Sequence, residues 1–260
     1  MKRIIAIVLF TCLCLGAMAQ TQFDFGLMHC FLPQKGETPS RAVLICPGGG
    51  YEMRCTYEEG TYFKDFFTSR GFACFVLDYR LPGGDKSIPL GDAREALGQI
   101  RAHADEWNIN PQAVGIMGFS AGGHLASSIA THLPQSERPA FQILFYPVIS
   151  MDHRYSHYGS CLNFLGEKRL GSKKDIREWS NHLHTDSTCP RAIIFAADDD
   201  NVVPVAPNTL AYAKALADSG VSVNLHIFPY GGHGYGLYIG NREREQQILM
   251  YLDEWLSMLP

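Results

Sequence analysis

Six short runs dense in Val, Ile, Leu, Phe, Ala and Cys recur along this chain, at 41–46, 72–77, 113–118, 142–146, 191–196 and 223–228. Most carry no polar alternation, so both faces of each must be covered, which is the condition of a strand inside a parallel sheet. Helix-forming segments separate them, at about 58–70, 90–107, 121–133, 206–219 and 242–259. In the second of these, Leu90, Ala93, Leu97, Ile100, Ala104 and Trp107 recur every three or four residues and form one apolar stripe. Strands alternating with amphipathic helices, joined by right-handed crossovers, predict an α/β domain: a doubly wound, mostly parallel sheet with helices on both faces. A chain of 260 residues with 46% hydrophobic content can enclose such a core as one domain.

Two stretches break this rhythm. Residues 150–190 are polar and rich in His, Ser and Gly, with short apolar clusters at 162–165 and 176–179. Long excursions in compact domains are usually functional or disordered, so a short cap of one or two helices over a site is expected, with a surface excursion as the alternative. Residues 1–19 carry Lys2-Arg3, an apolar stretch from Ile4 to Leu15 and then Ala17-Met18-Ala19. This is the pattern of a secretory signal cleaved after Ala19, and its apolar run is shorter than the ~20 residues of a spanning helix. The expected organisation is a signal at 1–19 and one domain at 20–260, placed in the periplasm or outside the cell without stable membrane insertion after cleavage.

Past that leader, 20 basic residues face 26 acidic ones, and no basic cluster with interleaved aromatics occurs. That balance argues against nucleic acid as a partner. Six cysteines remain, Cys30, Cys46, Cys55, Cys74, Cys161 and Cys189. An even number in an exported chain permits disulfides, yet Cys46 and Cys74 lie inside apolar runs as small hydrophobes. No pair has the close spacing of a zinc site, and no calcium-loop pattern occurs, so neither a metal nor a cofactor is called for. Nothing in the sequence sets an oligomeric state.

The chemistry begins at Gly118-Phe119-Ser120-Ala121-Gly122, which reads Gly-x-Ser-x-Gly between an apolar run and a helix-forming run. Such a strand-to-helix turn presents a nucleophilic serine, and the flanking glycines avoid a Cβ clash in the turn. A serine hydroxyl is a poor nucleophile at neutral pH and needs a base, which in turn needs an acid to orient it. Asp198-Asp199-Asp200 directly follow the run 191–196, on the strand edge where ligands gather in α/β sheets. The Asp-x-x-Val-Pro spacing favours Asp200 as the acid, with Asp199 next and Asp198 as a solvated turn. His233, in Gly231-Gly232-His233-Gly234, follows the last run, and its glycines suggest a mobile loop. The order Ser120, Asp200, His233 is the one used by α/β-hydrolases. Acyl transfer also needs N–H donors for the developing oxyanion. The Gly-rich stretch 47–51 follows the first run, and the N–H of Ala121, next to the nucleophile, is the expected second donor. Phosphate binding is disfavoured there, because both the Lys-Ser/Thr pair and the Gly-x-Gly-x-x-Gly spacing are missing.

These stretches carry a resemblance. The segments 46–51 (Cys-Pro-Gly-Gly-Gly-Tyr), 76–81 (Val-Leu-Asp-Tyr-Arg-Leu), 115–126 around Ser120, 145–150 (Phe-Tyr-Pro-Val-Ile-Ser), 198–205 and 231–236 span nearly all of the chain past the leader. Together they resemble a small α/β-hydrolase of the esterase/lipase superfamily, in the branch of exported bacterial esterases described as acetyl xylan esterase-like. The resemblance implies an α/β-hydrolase fold with a short cap. It also implies Ser120 as nucleophile, Asp200 as acid, His233 as base, and Gly49, Gly50 and Ala121 as oxyanion donors. Two positions depart from the family pattern: Pro47 stands where His is commoner, and Phe195-Ala196 where His or Gly often begins the acid loop.

The activity implied is hydrolysis of small acyl esters, acetyl foremost, on a small-molecule or oligosaccharide substrate. A general carboxylesterase or peptidase of the same fold is the alternative, followed by a non-catalytic binding protein. Tyr51 and Tyr235 flank the oxyanion and histidine loops and are candidate substrate contacts, able to stack on a sugar or to wall the pocket. His124 is expected to pack at a helix start and His226 within a strand. His153, His157, His182 and His184 are expected at the surface, and Arg80 with Asp92 as a structural ion pair.

Overall fold

A computed structural model describes residues 21–237 and 242–260, so the expected signal segment lies outside the described residues. Two strands that the dense apolar runs do not announce come first. β1 (Thr21–Phe25) and β2 (Met28–Leu32) form an antiparallel hairpin turning at Gly26-Leu27. Their sequences mix polar and apolar residues because β1 is an edge strand, half exposed, and needs no second covered face.

The six runs become β3 (Ser40–Cys46), β4 (Phe72–Leu77), β5 (Ile109–Phe119), β6 (Phe141–Phe145), β7 (Arg191–Ala197) and β8 (Val223–Phe228). They complete an eight-stranded sheet of order β1-β2-β4-β3-β5-β6-β7-β8. From β4 to β8 every neighbouring pair is parallel, while β2 joins β4 antiparallel. The strand order reverses at β3, so the loops after β3 and β5 open on either side of the switch point. Ligand sites of open α/β sheets form in that crevice.

Helices cover both faces, as the pattern predicts. α1 (Lys64–Thr68) lies on one face with the C-terminal helix, and α2 (Ser87–Ala102) and α3 (Ser120–His132) lie on the other. Successive strand residues serve the two layers alternately: Leu44 belongs to the core layer that holds Leu97, Ile100 and Leu125, whereas Val43 and Ile45 belong to the layer of Phe63, Phe67 and Trp255. The expected helix at 58–70 contracts to a 3-10 turn at Thr61–Phe63 followed by α1.

The excursion at 150–190 is ordered and fastened down. It holds α4 (Tyr158–Leu165) and α5 (Lys173–Trp179), capped by the His157 and Ser172 side chains. The Asn181 side chain donates to the His124 carbonyl and to the Ser127 and Ser128 hydroxyls of α3. The entry to the excursion is held by Asn208, whose Oδ1 accepts from the backbone of Ile149 and Ser150. Asn208 sits in a π-helical turn, Ala206–Leu210, that precedes α6 (Ala211–Asp218) where one continuous helix is expected from the sequence. The chain closes with α7 (Arg242–Ser257). Among the described residues no helix is long and apolar enough to cross a membrane, and the six cysteines are free thiols.

A row of rings crosses the sheet near the C-terminal ends of its parallel strands. Phe119, Phe145, Phe195 and His226 are register partners on β5 to β8, stacked at centroid distances of 4.8, 4.7 and 5.1 Å. Tyr251 of α7 stacks on His226 at 4.1 Å, which accounts for that histidine as a packing residue. Phe195, a departure from the family pattern, is thus a member of this stack. Phe145 touches rings on both sides, so Phe145→Ala is expected to cost about 3–5 kcal/mol and Phe145→Leu clearly less. Urea midpoints of the two variants check this; equal losses would show that volume and stacking at this site carry no separate weight.

Candidate active site

Ser120 directly follows β5 and begins α3 with φ of +49°, a left-handed conformation that a residue with a Cβ adopts only under constraint. Two close approaches supply it. A Cβ on Gly118 would fall 2.2 Å from the Gly122 carbonyl oxygen, and a Cβ on Gly122 would fall 2.1 Å from that of Cys46. The Ser120 carbonyl accepts from Val148 N at 3.0 Å, pinning the turn from the other side.

The turn aims Ser120 Oγ at His233 Nε2, 2.8 Å away. His233 Nδ1 is 2.7 Å from Asp200 Oδ2. Asp200 is buried, and its other oxygen accepts from the backbone of Val202 at 2.9 Å and Val203 at 2.8 Å. These bonds fix the orientation of the carboxylate. The three adjacent aspartates part as the sequence left open: Asp198 and Asp199 are exposed, and Asp199 Oδ1 accepts from Gly232 N at 2.8 Å. The loop around His233 is therefore anchored. Its glycines, with φ of +62° at 232 and +73° at 234, serve a left-handed backbone path.

After β3, the Gly48 N–H donates to Glu59 Oε2 at 2.8 Å. Gly48 is thereby spent, and among the described residues no partner takes up the N–H of Gly49 or Gly50. Ala121 lies in the first turn of α3, where the N–H has no carbonyl one turn earlier. The loop is braced by Asn163 of α4, which donates to the Gly50 carbonyl at 2.9 Å.

Glu59 is the principal residue that sequence reasoning missed, because no motif surrounds it. Its carboxylate is buried, accepts from Gly48 N and accepts from Tyr146 Oη at 2.7 Å. Tyr146 Oη accepts in turn from Gly236 N at 2.8 Å. Its ring lies edge-on to the His233 imidazole at 4.8 Å. One buried carboxylate thus ties the loop after β3 to the loop that carries His233. Burial pushes the Glu59 carboxyl above its ordinary range, opposed by the hydrogen bonds from Tyr146 and Gly48.

The candidate substrate contacts Tyr51 and Tyr235 require correction. Each is only 1% exposed, so neither ring can stack on a sugar. Tyr51 donates to His124 Nδ1 at 2.9 Å and packs on Phe164, while Tyr235 packs on Tyr146. Both wall the site from beneath. Arg80 and Asp92 form the expected ion pair, Nη2 to Oδ1 at 2.6 Å.

The chain is similar to known proteins along most of its length. The family model BD-FAE matches residues 28–215. The chain belongs to the BD-FAE family. An acetylxylan esterase of Xylanibacter ruminicola is 46% identical over 236 residues, covering 90% of this chain and 48% of that protein. The chain thus spans about half the length of that relative. An acetyl ester-xyloside bifunctional hydrolase from Caldicellulosiruptor lactoaceticus superposes with a TM-score of 0.79 at 31% identity, covering 90% of this chain and 89% of that one. An α/β hydrolase enzyme from a Medee basin deep-sea metagenome library has a TM-score of 0.70 at 23% identity, covering 93% and 96%. The fold is the α/β-hydrolase fold. Within this BD-FAE chain, Pro47 retains a structural role: its carbonyl accepts from Tyr79 Oη at 2.7 Å.

His124 gives the BD-FAE chain an acid-sensitive element behind the site. It is fully buried, donates from Nε2 to the Trp179 carbonyl at 2.9 Å and accepts at Nδ1, so its ring is neutral. Burial, with His132 nearby, lowers its pKa to about 3. Between pH 6.5 and 3 the unfolded chain holds a proton at His124 that the folded chain does not, so stability falls as the pH drops through that window. The expected loss from this group is about 2 kcal/mol between pH 7 and 5. His124→Gln, although less stable at pH 7, should lose correspondingly less on acidification, as read from urea midpoints at the two pH values. An unchanged pH dependence would assign the proton elsewhere.

Proposed function

We propose that this chain is a serine esterase that removes small acyl groups, acetyl foremost, from carbohydrate. The observation that carries the reading is the continuous line from Ser120 Oγ through His233 to Asp200, at 2.8 and 2.7 Å. The carbohydrate part is supported by the names of the acetylxylan esterase and the acetyl ester-xyloside hydrolase to which the chain is similar.

Ser120 Oγ attacks the ester carbonyl while His233 Nε2 takes its proton, and Asp200 holds the imidazole tautomer and stabilises the imidazolium. The negative charge that develops on the carbonyl oxygen is met by the N–H groups of Gly49, Gly50 and Ala121, aimed before the reaction begins. His233 returns the proton to the leaving alcohol, and the acyl group stays on Ser120. Water, deprotonated by His233, then attacks the acyl-enzyme and releases the acid. No cofactor enters these steps. The leader at 1–19, cleaved after Ala19, would deliver the enzyme to the periplasm or the medium, where polysaccharide fragments are met.

Acetate release from acetylated xylo-oligosaccharides, alongside 4-nitrophenyl acetate, tests the reading. Ser120→Ala should lose at least about 10⁴-fold in kcat on both, and Asp200→Asn about 10³–10⁴-fold. Asp199→Asn, at a side chain whose hydrogen bond among the described residues is to the Gly232 N–H, should stay within about fivefold, the effect of one weakened hydrogen bond. Unchanged turnover in Ser120→Ala would sink the catalytic assignment. Turnover of the aryl ester with no acetate from any sugar would instead remove carbohydrate as the substrate class.

A further inference from the structure

The excursion brings a further imidazole to the site. His157 is the N-cap of α4, and its Nδ1 lies 3.2 Å from Ser160 N and 2.8 Å from Ser160 Oγ. A backbone N–H can only donate, so Nδ1 accepts and the neutral ring carries its proton on Nε2. The ring cannot turn freely, because Ser160 is fully buried. Its Cε1 stands 3.4 Å from where a Cβ on Gly50 would lie, against the loop that offers the oxyanion donors. The position is set from both sides: α4 begins at His157 and is tied to the Gly50 carbonyl through Asn163. Burial lowers the His157 pKa, and so does the neighbouring His233, while Asp200 opposes them; the ring is thus neutral at pH 7 and close enough to feel the triad.

Among the described residues no protein group accepts the Nε2–H, and His157 is only half-buried. An oriented N–H donor with no protein acceptor thus stands beside the loop of Gly50. In the proposed reaction the ester carbonyl oxygen is held by backbone N–H groups and the ester oxygen by His233. The polar atoms left for a further donor are those of the leaving alcohol. We infer that His157 is a specificity-determining residue whose Nε2–H binds a hydroxyl or ring oxygen of the sugar that bears the acyl ester. The inference rests on the carbohydrate reading above. It gives the excursion a substrate role: α4 presents the donor and braces Gly50 at once.

The informative variant is His157→Asn. Asparagine is a strong N-cap and can still accept from Ser160 N, so α4 stays capped, but its shorter side chain removes the outward N–H. For acetylated xylo-oligosaccharides, kcat/KM should fall about tenfold, mainly through KM, as expected for one lost hydrogen bond to bound substrate. For 4-nitrophenyl acetate, which has no sugar hydroxyl, it should stay within about twofold. His157→Ala, which also removes the cap, should lower both rates, with the sugar falling further. A wild-type chain active on both substrates, with His157→Asn changing both equally or neither, would overturn the inference and leave the carbohydrate reading intact. A wild-type chain inactive on every acetylated sugar would overturn both.

Discussion

The active edge depends on one close approach: the first turn of α3 rests on the carbonyls at the end of β3, with no space for a side chain at position 122. That contact sets how far the Ser120 turn stands from the loop after β3. It lies at the point where strand order reverses, so Ser120 and the glycine-rich loop after β3 share one crevice. Ser120 can hold φ of +49° because packing on both sides of the turn leaves it no alternative. The aromatic stack from Phe119 to His226 lies under the same edge, so rigidity of the sheet is transmitted to the residue preceding the serine.

Charge supplies the second constraint. A carboxylate as buried as Glu59 is tolerated only when its oxygens are satisfied, and here Gly48 N and Tyr146 Oη do so. Through Tyr146 the network reaches Gly236, three positions from His233. Two loops from opposite ends of the chain are thus held by one group. Asp199 adds a second tether through Gly232 N, and an imidazole on a glycine-rich loop is thereby held at 2.8 Å from Ser120.

Much of this was legible in the sequence. The dense runs announced the parallel strands, and the positions of Ser120, Asp200 and His233 just after three of them announced the sheet edge at which these side chains meet. The β1–β2 hairpin was not legible, since an edge hairpin lacks the two-sided apolar signature by which the other strands are read. The excursion at 150–190 looked irregular because its helices are short and are held by side-chain bonds from Asn181 and Asn208. Tyr51 and Tyr235 looked like substrate contacts because they adjoin catalytic loops in sequence, and adjacency along the chain says nothing about which way a ring points. Tyr51 turns inward to meet His124, seventy-three positions away.

By itself, the sequence determined the fold class and named a candidate nucleophile, a candidate base and a short list for the acid, because these follow from periodicity and from what a strained strand-to-helix turn requires locally. Only the tertiary structure decided among the three aspartates, by burying Asp200 and giving it two backbone donors while leaving its neighbours exposed. It alone revealed Glu59 and placed His157 against Gly50. Those choices depend on burial and on contacts between distant segments, where the cost of an unpartnered polar group is set by surroundings that local sequence does not encode.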